Sequence, residues 1–346
     1  MVEAQIDPVA GYKAVAKLYN ALMTGLVLTL VAHKGAEAAR QFMFAHFRKQ
    51  HLEKFLPGLK KLGLDKLPDA VACAQYHYFS NALGGVKTEY VMESERKAWV
   101  RYPPPRWIWQ GTAICAVPRE VNEAMMHGWH GHNGVSLGNP RLGFVCTGQT
   151  PEGDPGLEGY YHEYDRDIAP EERVRFVHDE HMPRFDPALA PQLDTADWPQ
   201  ERLRKVERSY AMEYVRSLLP VTQELFGVEE AVQLVGRTSR LIGLQFYEET
   251  AAMLGVADDS ALEFTRYLAA LAAAQGEQVE IRQGQVVQHG WKLMQGVSPP
   301  DSAAAFLAWN NLWEGALAGH NRYLTLTTEH SGEATIWRVS YKFDQN

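Results

Sequence analysis

The apolar positions in the first part of the chain recur at helical spacing. Leu18, Leu22, Leu26 and Val31 share one face of a helix, and an aromatic-rich series from Phe42 to Leu59 follows at three- and four-residue intervals. A third helix is predicted over 69–83, ending at Gly84-Gly85, where a left-handed cap is expected. The pattern therefore predicts three helices before any strand.

The period then changes to the alternation that is typical of strands. Residues 88–94 and 97–102 alternate between apolar and polar side chains, and Pro103-Pro104-Pro105 ends this hairpin. A short helix is predicted over 118–126, and a second hairpin over 142–147 and 157–164. Helices followed by hairpins favour an antiparallel sheet that is covered by helices on one side.

Three motifs in this region recur later in the chain at one fixed offset. Gly35-Ala36-Glu37-Ala38-Ala39 matches Gly227-Val228-Glu229-Glu230-Ala231, an offset of 192 (227 − 35 = 192). Leu62-Gly63-Leu64 and Ala82-Leu83-Gly84 match Leu254-Gly255-Val256 and Ala274-Gln275-Gly276 at the same offset. Three matches in one register indicate an internal duplication.

The second half repeats the order of elements. Helices are predicted over 212–255, 260–274 and 302–313, and strands over 279–281, 286–294, 322–328 and 335–343. Gly138-Asn139-Pro140-Arg141-Leu142 resembles Gly319-His320-Asn321-Arg322-Tyr323, an offset that has fallen to 181 (319 − 138 = 181). We therefore predict an α+β protein of two tandem copies related by a pseudo-two-fold axis. The first copy spans 1–165, a linker 166–205 with one strand over 173–178, and the second copy 206–346.

Composition narrows the class of protein. The net charge of −8 argues against a nucleic-acid surface, which would carry a basic stripe. The three cysteines are scattered, so we expect a reducing, cytoplasmic compartment. The apolar run from Ala21 to Ala32 is too short to span a bilayer and predicts a buried helix, so no membrane partner is expected.

Candidate chemistry concentrates in the first copy. Six of the thirteen histidines lie between 127 and 181, most densely in His127-Gly128-Trp129-His130-Gly131-His132. His127 and His130 would share a helix face. Two interpretations stay open: His127, His130 and His132 bind a divalent metal such as Zn or Fe, or His127 and His130, with His162 and Glu163 of the last strand, act as acid and base. Solvated loop histidines are the third alternative.

Other residues near this stretch are candidates for binding a substrate. Arg101 or Arg106 could hold a carboxylate, and aromatic side chains could line a pocket. The substrate-binding prediction comprises Trp129, Arg101, Tyr102, Tyr161 and Asn133. His178-Asp179-Glu180-His181 could supply further ligands, although a charged, solvated segment is the more ordinary interpretation.

The chain resembles a known family. Asn139-Pro140-Arg141-Leu142, Gly153-Asp154-Pro155 and the aromatic strand that follows are similar to motifs of the L-2-amino-thiazoline-4-carboxylic acid hydrolase-like family, which is related in outline to the 4-vinyl reductase type of small-molecule-binding domain. The resemblance covers 35–164 and, more faintly, 227–341. That family carries a cysteine and an acidic residue where this chain has His127 and His130, and a strand cysteine near Tyr161 and His162. At an offset of 181, the second copy has Ala308 and Asn311 in the places of His127 and His130, so it is expected to lack this chemistry.

Two functions follow from these patterns. The first is a hydrolase or lyase that acts on a small cyclic or heteroatom-bearing molecule in the first copy, with a metal or with histidine acid–base chemistry. The second is a small-molecule binding or sensor protein of the 4-vinyl reductase type that does no chemistry. In both, the partner is a small molecule, and we allow for a homodimer of the chain.

Overall fold

The computed structural model describes residues 7–105, 107–194 and 198–343 and shows an α+β protein, as predicted. The first copy contains five helices and five strands in the described part of the chain. The helices are α1 (Pro8–Lys34), α2 (Ala36–Lys61), α3 (Asp69–Leu83), α4 (Arg119–Gly128) and α5 (Asn133–Leu137). The strands are β1 (Glu89–Ser94), β2 (Lys97–Tyr102), β3 (Leu142–Gly148), β4 (Leu157–Glu163) and β5 (Val174–Phe176).

The first sheet has the strand order β1-β2-β4-β3-β5. The two hairpins meet through β2 and β4, where Trp99 lies opposite Tyr160 and Ala98 opposite Tyr161. All neighbours are antiparallel except β5, which pairs in parallel with β3. Because neighbouring residues of a strand point to opposite faces, Tyr161 and Tyr160 belong to different sides of the sheet.

The segment predicted as a linker is part of the first copy's fold. Its strand β5 completes the sheet, and Val177 and Met182 pack on a buried cluster of Trp99, Val145 and Tyr160. The polar composition of 166–205 concealed these few apolar positions, which cover the face of the sheet that the helices leave open. The prediction of a plain linker is therefore corrected, although the strand expected over 173–178 is present.

The second copy repeats the architecture. Its helices are α6 (Gln200–Phe226), α7 (Val228–Met253), α8 (Ala261–Ala274) and α9 (Ser302–His320), and its strands β6 (Gln278–Arg282), β7 (Gln285–His289), β8 (Leu324–His330) and β9 (Ala334–Tyr341). Helices α1 and α2 start and end 192 positions before α6 and α7. The sheet order β6-β7-β9-β8 reproduces that of the first four strands. The duplication predicted from short motifs is confirmed at the level of elements.

The structure corrects the offset near the end of each copy. The side chain of Asn139 accepts a hydrogen bond from the Arg141 amide, and that of Asn321 accepts one from the Tyr323 amide, both at 2.9–3.0 Å. These equivalent turns lie 182 positions apart (321 − 139 = 182), and the starts of α4 and α9 lie 183 apart (302 − 119 = 183). His127 and His130 therefore correspond to Asn310 and Trp313, which also lack an imidazole, and not to Ala308 and Asn311.

The compact units of the structure differ from the predicted boundaries at residues 165 and 206. One unit runs from Val27 to Pro199, and the other combines the part of α1 up to Leu26 with the chain from Gln200 onward. In the latter unit, the fully buried Tyr19 donates a hydrogen bond to the Gln275 side chain at 2.6 Å and accepts one from the Trp309 indole at 2.9 Å. The start of the chain thus contributes to the core around the second copy.

Helix α1 is the one described helix that is long and apolar enough to cross a membrane. Its most apolar window has a mean hydropathy of 1.6, but 67% of that window is buried inside the protein. Such burial is what a core helix shows, in keeping with the buried helix predicted from the apolar run. The three cysteines are free thiols; Cys73 and Cys146 are buried and Cys115 is exposed.

Candidate functional site

A buried group of polar side chains lies between the helices and the first sheet. It comprises His51 of α2, His77 of α3, His130 and Asn133 beside α5, and Tyr161 of β4, and we call it the histidine–tyrosine cluster. Each of the five is at most 5% exposed. Burying so many polar groups costs free energy unless they are hydrogen bonded, so their clustering in one place needs an explanation.

A short hydrogen bond joins His130 to Tyr161 at the centre of the cluster. The His130 Nδ1 and Tyr161 Oη atoms are 2.6 Å apart, and the Asn133 amide donates to the same phenolic oxygen at 2.9 Å. Because Asn133 occupies an acceptor position of Tyr161 Oη, the arrangement suits donation of the phenolic proton to His130 Nδ1. In this tautomer His130 carries its hydrogen on Nε2.

Aromatic rings enclose this hydrogen-bonded group. The His77 ring stacks on His130 with centroids 4.3 Å apart, and Phe144 lies 4.3 Å from His130. The Trp129 ring is 5.5 Å from His51 and 5.9 Å from His77, so it lies between these two imidazoles. Such walls exclude water and strengthen every polar interaction inside them.

Four polar atoms of this region are buried and lack a well-formed hydrogen bond among the described residues: His51 Nε2, His77 Nε2, Trp129 Nε1 and Asn133 Oδ1. Two of these side chains still influence each other, since the Asn133 side chain raises the pKa of His51 against the larger effect of burial. Each such atom costs about 1–3 kcal/mol if it stays unpaired. The Arg48 guanidinium lies 2.8 Å from His51 Nδ1 and can only donate, so the neutral His51 carries its hydrogen on Nε2. The four atoms thus offer donors and an acceptor to a bound polar molecule.

Burial dominates the electrostatics of the cluster. It lowers the pKa of His77 to about 3, with a smaller effect of His51, and it lowers the pKa of His51 to about 3, reinforced by Arg48. Burial also raises the pKa of Tyr161 well above its usual value, and that of the neighbouring Cys73 thiol likewise. At neutral pH the two imidazoles, the phenol and the thiol are therefore all uncharged.

Close backbone packing explains how His130 comes to point inward. A Cβ atom at Gly128 would lie 2.6 Å from the Phe44 carbonyl oxygen, so only glycine lets α4 approach α2 this closely. Helix α4 ends there, and Trp129 adopts φ −103° and ψ −72° before a single 3-10 turn at His130–His132. A Cβ at Gly134 would lie 2.7 Å from the Leu142 carbonyl, which fixes α5 against β3.

This helix end separates the three histidines that the sequence grouped. His127 is exposed with its ring 5.9 Å from Phe176, and His132 Nδ1 bonds the His127 carbonyl at 2.9 Å. His127 and His130 would share a face only if α4 continued. Among the described residues, the group with three ligand atoms within 4.8 Å of one another is Glu152, Asp154 and His178, which includes none of the three.

The predicted strand residues divide between the two faces of the sheet. Tyr102, like Tyr161, faces the helices, with its ring 6.4 Å from His77. His162 faces the other way, 4.6 Å from Tyr164, and burial lowers its pKa, helped by Arg96. Glu163 is on the helix-facing side, at the sheet's end, where it pairs with Arg141 at 2.5 Å.

Arg101 lies on the side of the sheet away from the cluster. Glu89 and Glu158 hold its guanidinium at 2.9 Å and 3.5 Å, and it lines a separate recess of about 270 Å³ beside Phe185. Arg106 lies outside the described residues. Of the predicted site, the structure therefore brings together His130, Trp129, Asn133, Tyr161 and Tyr102.

Sequence reasoning missed the contributions of the first helices. His51, Cys73 and His77 are in apolar stretches of α2 and α3 and were absorbed into the helical pattern. Comparison of the two copies could have identified these three residues from the sequence. At offset 192 the second copy has Gly243, Thr265 and Ala269 in their places, so these ionisable groups belong to the first copy alone.

The second copy fills the same position with side chains that do not ionise. In the β2–β4 and β7–β9 registers, Trp337 takes the place of Tyr161. Its indole donates to Asn310 at 2.8 Å, and Asn310 donates to Thr328 at 3.2 Å. A buried strand-to-helix hydrogen bond is kept while the imidazole and the phenol are lost.

Comparison with known proteins adds no further constraint. No family model, no curated protein and no solved structure matches this chain.

Proposed function

We propose that the first copy binds a small polar organic molecule in the histidine–tyrosine cluster and converts it by acid–base chemistry. The observation that carries this proposal is a set of four buried polar atoms, without a well-formed hydrogen bond among the described residues, around a Tyr161–His130 hydrogen bond. Unpaired buried groups are rare in proteins and concentrate where a ligand or water completes them. The reaction class we favour is hydrolysis or elimination on a cyclic or heteroatom-bearing substrate.

Tyr161 is the group best placed to give a proton. Burial keeps the phenol protonated, so it can donate to a heteroatom that develops negative charge. His130 Nδ1, at 2.6 Å from Tyr161 Oη, carries no hydrogen and orients the phenol, which regains its proton from water after the transfer. Asn133 fixes the phenolic oxygen, and the stacked His77 offers Nε2 to the bound molecule.

Acid–base chemistry without a metal fits the cluster better than metal binding. A histidine binds a metal through a nitrogen that carries no hydrogen. Because Arg48 donates to His51 Nδ1, the outward Nε2 of His51 carries the hydrogen and presents a donor. His130 Nδ1 is engaged with Tyr161.

A binding or sensor protein is the second candidate, and one observation favours it. An efficient general base has a pKa near the working pH, whereas the pKa values of His51 and His77 are about 3. Neutral imidazoles in a closed, aromatic site hydrogen bond a ligand without exchanging protons with it. The resemblance to the hydrolase-like and 4-vinyl reductase-type families covers both candidates.

Incubation with a metabolite extract separates the two functions. The wild-type chain, Tyr161→Phe and the matched second-copy variant Trp337→Phe would each be mixed with extract, and the mixture analysed by mass spectrometry before and after removing the protein. A compound consumed by wild type and Trp337→Phe but not by Tyr161→Phe supports the enzyme. A compound retained unchanged by the same two chains supports the binding protein. If no compound is consumed or retained by any of the three chains, both the enzyme and the binding protein are contradicted.

We further propose that the protein works in the cytoplasm and that the small molecule is its partner, in place of nucleic acid or membrane. The three unpaired cysteines and the negative net charge support this placement. A homodimer stays a proposal.

A further inference from the structure

We propose that the second copy has a ligand site of its own, which takes a small organic anion with a carboxylate or phosphate group. The site is an open recess of about 270 Å³ between the start of α6, the end of α8 and the loop after β7. Arg208, Arg216 and Lys292 line it together with the polar side chains Ser209, Glu213 and Gln275. It is separate from the histidine–tyrosine cluster and independent of the function proposed for it.

The positive charge of the recess is only partly balanced. The Arg208 guanidinium donates to the Ala274 carbonyl at 2.7 Å and to the Ser209 hydroxyl at 3.1 Å, which are neutral groups. Lys292 Nζ contacts the Gly276 carbonyl at 3.3 Å. Arg208 Nε is buried without a partner among the described residues, and burial lowers the pKa of this guanidinium.

Two carboxylates lie nearby and only partly offset this charge. Glu213 approaches the Arg216 guanidinium at 3.9 Å, a distance at the limit of an ion pair. Glu277 accepts a hydrogen bond from the Lys292 amide at 2.7 Å, and burial raises its pKa. Three cations therefore face at most two carboxylates, and the closest contacts of the cations are with carbonyl oxygens.

Capping of a helix end explains part of this arrangement. Cations at the carboxyl end of a helix stabilise its free carbonyls, and Arg208 and Lys292 do so for α8. One cation would serve that purpose. Arg216 bonds the Leu293 carbonyl at 3.3 Å, away from the helix end, and turns the recess into a convergent site.

The first copy provides an internal comparison. At offset 192, Arg208 and Arg216 correspond to Ala16 and Thr24. The repeated fold therefore forms this helix without the two guanidinium groups. The two copies therefore differ in opposite ways: the first has ionisable groups in its interior that the second lacks, and the second has cations in a recess that the first lacks.

The chemistry of the lining indicates the class of ligand. Guanidinium groups match the paired oxygens of carboxylates and phosphates, and a primary ammonium adds a point charge. A recess of this volume accommodates a small metabolite, whereas an extended polymer would need a longer basic surface. We therefore expect a compact, multiply charged anion.

Isothermal titration of the full chain with inorganic phosphate, and separately with citrate, tests this site in buffer of low chloride concentration. We expect saturable binding of at least one probe, and the preference between them identifies the anionic group. Arg208→Gln and Arg216→Gln should each weaken binding about tenfold or more. Arg237→Gln, which removes an exposed arginine of α7, should leave it unchanged.

The folded state of each variant is checked by circular dichroism, since Arg208 also contacts the end of α8. If Arg208→Gln does not fold, Arg216→Gln and Lys292→Gln carry the test. The proposal is overturned by the absence of saturable binding of either probe up to about 10 mM. Binding that all the folded pocket variants retain, or that Arg237→Gln weakens as much as they do, overturns it equally.

Discussion

At the scale of single residues, Tyr161 and Tyr160 show how one strand serves two purposes. Tyr161 Oη is fully enclosed and shared by His130 and Asn133, whereas Tyr160 Oη donates to Glu180 at 3.0 Å near the surface. The two phenols are neighbours in sequence and lie on opposite faces of the sheet. Water can replace Glu180 as the partner of the Tyr160 hydroxyl, but it cannot reach the Tyr161 hydroxyl to replace His130 or Asn133.

Tyr161→Phe should therefore destabilise the chain, because it removes the hydrogen-bond partner of a fully buried Asn133 amide. We expect a loss of about 1–3 kcal/mol in the free energy of unfolding, measured with urea. The control Tyr160→Phe removes a hydroxyl whose acceptor can turn to solvent, and it should cost less than about 1 kcal/mol. Equal losses for the two variants would show that the cluster is not sealed from water.

A second prediction concerns acid. His46, His51 and His77 are buried with pKa values of about 3, against 6.5 for an exposed imidazole. As the pH falls, the imidazoles of the unfolded chain take up protons before those of the folded chain do. The free energy of unfolding is therefore largest above pH 6.5 and falls as the pH drops toward 3. The slope is about 1.4 kcal/mol per pH unit for each imidazole.

Urea denaturation at several pH values between 7 and 5 measures this slope. His46→Phe should make the slope shallower by up to about 1.4 kcal/mol per pH unit, since one of the three most strongly shifted imidazoles is gone. His33→Gln, a histidine substitution at an exposed position, is measured beside it as the control for the effect of substitution alone. A stability independent of pH over this range would contradict burial of the neutral imidazoles.

At the scale of elements, glycine determines how closely helices approach in both copies. In α7, a Cβ at Gly243 would collide with the Leu312 carbonyl oxygen and lie 2.8 Å from the Ala316 amide, both in α9. Gly236, in the same helix, has the Asn311 side-chain amide as its nearest neighbour at 3.3 Å. A mobile amide can move aside, whereas the backbone of a packed helix cannot.

Gly243→Ala should consequently cost about 1–3 kcal/mol or more, because α9 must shift away from α7. Gly236→Ala is the matched control; the gain in helix propensity, up to about 1 kcal/mol, should offset its milder contact. Thermal unfolding of both full-length variants measures the difference. A Gly243→Ala chain as stable as Gly236→Ala would contradict the close α7–α9 packing.

The sequence predicted the helices and strands better than it predicted the positions of individual side chains. The helix over 69–83 and the strand over 97–102 agree with α3 and β2 to the residue, because a periodic pattern ends there at glycines or prolines. Helix α9 extends to His320, beyond the predicted end at Trp313, because Gly315 does not end the helix but lets it pack closely against the Arg240 backbone of α7. The inward turn of His130 could not be predicted, because it depends on contact between Gly128 and a distant helix.

At the scale of the whole molecule, the duplication is also a record of divergence. The scaffold glycines kept their register, while imidazoles and a phenol are present in the interior of the first copy and absent from the matching positions of the second. The discontinuous unit adds a constraint of its own, because residues up to Leu26 belong with the second copy. The stability of this discontinuous unit thus depends on segments that are far apart in sequence.

Tyr19→Phe tests that constraint. Its hydroxyl bridges Gln275 Oε1 and the Trp309 indole in a fully buried position, so the variant removes this partner from both atoms, while Gln275 Nε2 keeps its bond to the Leu271 carbonyl. We expect a loss of about 2–4 kcal/mol in the unfolding free energy, measured by denaturation of the intact chain. Tyr323→Phe, at a residue that is 53% exposed, is the control and should change it by less than about 0.5 kcal/mol.

We propose that the interior of the first copy is built around a bound molecule. High-resolution crystallography of the full chain tests it most directly, through the electron density near His77 Nε2 and Asn133 Oδ1. We predict a non-protein molecule within hydrogen-bonding distance of both atoms, larger than water after incubation with metabolite extract, and none beside Trp337 in the second copy. An interior without a bound molecule, in which protein groups hydrogen bond His51 Nε2, His77 Nε2, Trp129 Nε1 and Asn133 Oδ1, would overturn the proposed ligand site.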